Sequence, residues 1–95
     1  MFVVLLKFSD NKSQAGQHMD DHNAWIKRGL DDGVFVLTGS LQPNLGGGIL
    51  AHNTTLSELE DRVNGDPFVA ENVVRAEILE ITPARTDQRL GFLTH

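Results

Sequence analysis

His22 and Asp66 are the two residues of this chain whose types and settings best fit acid–base chemistry. Imidazole takes up and returns a proton near neutrality, so a histidine on an apolar helix face is a candidate general acid or base. The plainer alternative is a core-edge histidine with a satisfied hydrogen bond. Asp66 belongs to the run Gly65-Asp66-Pro67-Phe68. Gly65 breaks a preceding helix, Asp66 is placed to cap a new helical turn, and Pro67 takes the first position of that turn, where proline is favoured. Capping and chemistry are compatible here. A helix N-terminus favours an ionised carboxylate. Such a carboxylate within hydrogen-bond reach of His22 would orient the imidazole and stabilise its charge.

Four further residues are candidates for substrate contact. Trp25 and Phe68 would supply apolar surface beside the pair, Ser40 a hydrogen bond and Arg75 attraction for an anion. His18 and His22 lie four apart, a spacing compatible with metal ligation on a helix. No HExxH pattern is present and no third ligand is evident, so no metal is expected, nor any organic cofactor. Gly46-Gly47-Gly48 lacks the Gly-Lys-Ser/Thr ending of a phosphate loop and reads as the flexible entry to a strand. Ser40 has no nucleophile-elbow context, which argues against a hydrolase triad. His52 reads as a surface residue at a strand end and His95 as a terminus.

Composition narrows the classes. Ninety-five residues make one domain with a modest core. There are no cysteines, which excludes disulfides and thiolate sites. The net charge is −5, with eight scattered basic residues, the opposite of a nucleic-acid binder's basic face. No apolar run approaches the roughly 20 residues of a membrane span. The apolar start, Met1 to Leu6, lacks a basic flank and is interrupted at Lys7, so it does not read as a signal peptide. A cytoplasmic location is the simplest expectation.

The pattern of the chain predicts the elements that must position the candidates. Phe2 to Phe8 reads as a strand, with Phe2, Val4, Leu6 and Phe8 on one face and Val3 and Leu5 on the other. A strand apolar on both faces needs cover on both. Helices can cover one face of a single sheet in so short a chain, and a second copy most simply covers the other. A helix is expected from about Ala15 to Asp32, with Met19, His22, Ile26 and Leu30 as its buried stripe and Asp32-Gly33 ending it. Val34–Leu41 and Gly46–His52 read as a hairpin. A second helix carries a capping box at Thr55-Leu56-Ser57-Glu58 and a stripe of Leu56, Leu59 and Val63. The last strand spans Val73 to Thr82, with Val74, Ala76 and Ile78 on one face and a change of phase near Leu79. The tail, residues 84–95, carries Leu90, Phe92 and Leu93, which suits docking, including docking on a partner subunit. The order β-α-β-β-α-β is the ferredoxin-like arrangement: an α+β fold with a four-stranded antiparallel sheet and two helices on one face.

Taken together, these residues resemble the YciI-like family, with its DGPF-related members. The resemblance covers about residues 1–83. It rests on the short first strand, His22 followed by Trp25, Asp32-Gly33, Gly39-Ser40, and Asp66-Pro67-Phe68 before Val73. It implies a dimeric α+β barrel and a cavity with a histidine–aspartate pair, which fall on His22 and Asp66. One branch of the family is linked to dehydrochlorination of a chlorinated hydroxyquinol. The expected function is therefore a cofactor-independent lyase or isomerase acting on a small molecule. The alternatives are a non-catalytic homo-oligomer that binds a small ligand or regulates, and a dimeric-barrel enzyme of the muconolactone-isomerase or small-monooxygenase type. The short Gln42–Gly46 turn and the tail after Pro83 depart from the commoner family pattern.

Overall fold

The computed structural model describes residues 1–94; the reading of His95 falls outside them. Strand β1 (Phe2–Phe8) leads through a 3-10 turn at Lys12–Gln14 into helix α1 (Ala15–Asp31). The hairpin β2 (Phe35–Leu41) and β3 (Gly46–Ala51) follows, then α2 (Leu56–Asn64), the single-turn α3 (Pro67–Ala70) and β4 (Val74–Glu80). A 3-10 segment, Gln88–Thr94, ends the described chain. The four strands form an antiparallel sheet in the order β2-β3-β1-β4. This is the expected ferredoxin-like fold, with α3 added where Asp66 starts its own turn. No helix among the described residues is long and apolar enough to cross a membrane.

Alternation along β1 puts Phe2, Val4 and Leu6 into the core beneath the helices, with Phe8 packed at its edge. Val74, Ala76 and Ile78 of β4 pair with Phe8, Leu6 and Val4 and share that face. Val3, Leu5, Leu37, Leu50 and Leu79 occupy the opposite face, and Leu37 is 54% exposed there. The phase change expected near Leu79 does not occur. Leu79 pairs with Val3 and continues the outer face that Arg75 and Glu77 begin.

The buried stripe of α1 is also rotated from the expected one. His22, Trp25 and Gly29 are buried, whereas Met19 is 41% and Leu30 43% exposed. The aromatic ring of Phe35 decides this. It meets Trp25 edge-on at 5.1 Å and lies where a Cβ on Gly29 would stand, 2.1 Å away. Only the side of α1 that carries a glycine can sit this close to β2. The helix ends at Gly33 with φ 74°, as expected of a left-handed cap. Thr55 caps α2 by accepting from the Glu58 amide at 3.1 Å. Leu59 and Val63 of α2 are buried, and Leu56 stays half exposed at its rim. The tail returns to its own chain, where Phe92 stands edge-on to His52 at 5.2 Å.

Candidate active site

Asp66 is fully buried, which a carboxylate tolerates only with partners. Its Oδ1 accepts two hydrogen bonds: from the Phe68 amide at 3.0 Å and from His22 Nδ1 at 2.8 Å. The first is the helix cap read from the sequence; the second joins it to α1. Asp66 Oδ2 is buried without a protein partner. Because Nδ1 donates to Asp66, Nε2 is left as the basic nitrogen of the ring.

Two aromatic groups hold the imidazole. Phe68 lies parallel to it, with centroids 3.9 Å apart and planes 3° from parallel. Trp25 stacks at 5.9 Å on a 25° tilt. Trp25 is itself tethered, its indole N–H donating to the Arg62 carbonyl at 2.9 Å, and the Arg62 guanidinium reaches Asp32 at 3.0 Å. One short segment thus fixes the histidine twice: α3 supplies the carboxylate at its N-cap and the stacking ring at Phe68.

His22 lines a cavity of about 300 Å³ between α1 and the sheet. Leu6, Phe8, Ile49 and Val74 form its sheet wall, Met19 and Ile26 its helix wall. Asn23, Thr38 and Ser40 are its neutral polar groups. Ser40 reaches this face because β2 carries a bulge. Phe35 pairs with Ala51, yet Leu37 already pairs with Leu50, so Val36 is an extra residue. One extra residue inverts the alternation after it. Thr38 and Ser40 therefore turn inward and Leu37 outward.

The candidates sort accordingly. His22, Ser40 and Phe68 line the cavity. Asp66 and Trp25 stand behind His22 and touch its ring without lining the cavity. Arg75 does not join them. It pairs with Lys7 in register on the outer face of the sheet, because β4 alternates without a break. Asn23 and Thr38 escaped the sequence reading. Met19, Asn23 and Ile26 recur at helical spacing, a second stripe beside the core stripe, and that spacing is the signal that could have found Asn23. Thr38 depends on the bulge. His18 lies one turn before His22, and no group of three or more potential metal ligands forms among the described residues.

No family model matches the sequence, and no curated protein matches it. A solved structure shares the fold. It is 5-chloro-2-hydroxyhydroquinone dehydrochlorinase from Burkholderia phenoliruptrix in complex with 2,5-dihydroxybenzoquinone. The TM-score is 0.69 at 11% identity, over 85% of this chain and 93% of that one. The likeness is one of backbone architecture, consistent with the ferredoxin-like sheet order.

Proposed function

We propose that this protein is a YciI-like, cofactor-independent enzyme that moves protons on a small hydroxylated ring, with His22 as the catalytic acid–base and Asp66 as its positioning partner. The observation that carries the reading is the buried 2.8 Å contact from His22 Nδ1 to Asp66 beside the cavity. In this reading Nε2 takes a proton from a ring hydroxyl and returns it to a ring carbon, which is a tautomerisation. Where that carbon bears a halogen, loss of the halide with a second hydroxyl proton completes an elimination of HX. Asp66 holds the ring in one orientation and stabilises the imidazolium between the two transfers. No lysine or arginine lines the cavity among the described residues. A phenolic or keto oxygen therefore suits it better than a carboxylate, which would enter without a counter-charge.

The substrate of the structural neighbour supplies the first test. Chloride release from 5-chloro-2-hydroxyhydroquinone is expected with the wild-type chain and is expected to fall about 10²–10⁴-fold with His22→Gln. A His22→Gln chain that binds and turns over the ring like the wild type would overturn the acid–base reading. Unchanged binding with no turnover in either chain would mark a ligand-binding protein instead.

The same proposal includes a homodimer closed through the outer face of the sheet. Val3, Leu5, Leu37, Leu50 and Leu79 form an apolar patch on that face, beside the charged Lys7, Arg75 and Glu77, with Ile81 half exposed just beyond β4. Two such faces packed together make the barrel that the family resemblance implies. Sedimentation at micromolar concentration is expected to give a dimer, and Leu37→Lys is expected to give monomers. A wild-type monomer under those conditions would remove this part of the reading.

A further inference from the structure

We propose that Gly47 sets the size of ring that the His22 cavity accepts. The inference rests on the reading of that cavity as the substrate site. Gly47 pairs with Leu6 on β1 and with Ser40 on β2, so a side chain there would leave the sheet on the helix-covered side, in the cavity that Gly47 lines. Glycine inside a strand weakens a sheet, through backbone entropy and missing side-chain packing. Its presence needs a reason, and the backbone supplies none at this position.

The neighbouring glycines show what such reasons look like. Gly46 has φ 133°, and a Cβ there would lie 1.9 Å from the Leu6 carbonyl oxygen. Gly48 faces the outer side of the sheet, where a Cβ would press on Leu41 at 3.2 Å. Gly47 has neither constraint. Its φ lies outside the left-handed region, and a Cβ would meet only the Gly39 carbonyl oxygen, at 3.5 Å, an ordinary contact. The fold would accept a side chain; the cavity would lose the room. At about 300 Å³ the cavity sits at the small end of ligand pockets, so single carbons matter.

The test combines calorimetric titration with thermal unfolding. The probe is 2,5-dihydroxybenzoquinone, and the chains are wild type, Gly47→Ala, Gly47→Val and, as a control, Gly16→Ala. A Cβ on Gly16 has nothing within 4 Å and lies outside the cavity. Gly47→Ala is expected to unfold at the wild-type temperature or above it. Its affinity is expected to fall on the order of tenfold and that of Gly47→Val on the order of a hundredfold, the range that one to a few carbons are worth in an apolar pocket. Gly16→Ala is expected to bind as wild type. Equal affinity along the Gly47 series would overturn the proposal. So would a Gly47→Ala chain that fails to fold, because the fold itself would then need the glycine. A wild-type chain that does not bind the probe would overturn this inference and the substrate reading together. Graded binding without any turnover would leave the inference standing and remove only the catalytic reading.

Discussion

Asp66→Asn is expected to keep the fold and lose most of the activity, whereas Asp66→Ala is expected to lose both. Asparagine caps a helix about as well as aspartate. Its side-chain oxygen can still accept from the Phe68 amide, now at 3.0 Å from Oδ1. Stability should therefore change by only about 1 kcal/mol. The charge is gone, however, and with it the stabilisation of the His22 imidazolium on which the proposed transfer depends. Turnover should fall about 10²–10⁴-fold. Alanine removes the cap as well and leaves two buried donors, the Phe68 amide and His22 Nδ1, without their acceptor. Each stranded buried donor costs about 1–3 kcal/mol, the lost cap being one of the two, so a loss of about 2–6 kcal/mol is expected. In a domain of this size each kcal/mol lowers the unfolding temperature by about 4–8 °C. Thermal unfolding and chloride release measured on the same preparations separate the two roles. An asparagine chain with full turnover would show that the charge does nothing, and an alanine chain as stable as the asparagine chain would show that the cap does nothing.

Gly29→Ala should be a strongly damaging methyl addition to the core. A Cβ at this position would stand 2.1 and 2.2 Å from two Phe35 ring carbons, too close for any real contact. Phe35 is itself buried against Trp25, so it has no free direction in which to yield. The helix must then move away from β2. Overpacking of this kind costs about 1–3 kcal/mol. Alanine's better helix propensity returns about 1 kcal/mol at most. Gly29 and His22 lie on the same buried stripe of α1, two turns apart. A displacement at one end therefore also changes the 2.8 Å contact with Asp66 at the other. A drop in unfolding temperature together with reduced turnover is the expected result. A Gly29→Ala chain as stable and active as the wild type would show that α1 and β2 are not in the close contact described.

The two variants also divide what is written locally from what is not. Local residues by themselves determined the element order, the α1 terminator at Gly33, the Thr55 cap and the Asp66-Pro67 start of α3. Each of these depends on a few consecutive residues whose backbone preferences act at short range. Two-sided apolarity in β1 likewise announced a sheet with an uncovered face.

The orientation of the site was decided elsewhere. The phase of α1 follows from Phe35 packing over Gly29, so Met19 and Leu30 leave the core although their spacing fits it. Ser40 and Thr38 face the cavity because Val36 is one residue too many opposite β3, which only the cross-strand register reveals. Arg75 faces away because β4 keeps strict alternation. The contact of His22 with Asp66 spans forty-four residues of chain and forms only when α3 is laid against α1. Caps and turns are short-range and legible in the sequence. The face that a side chain presents depends on what its element packs against, and that is a property of the assembled sheet and helices.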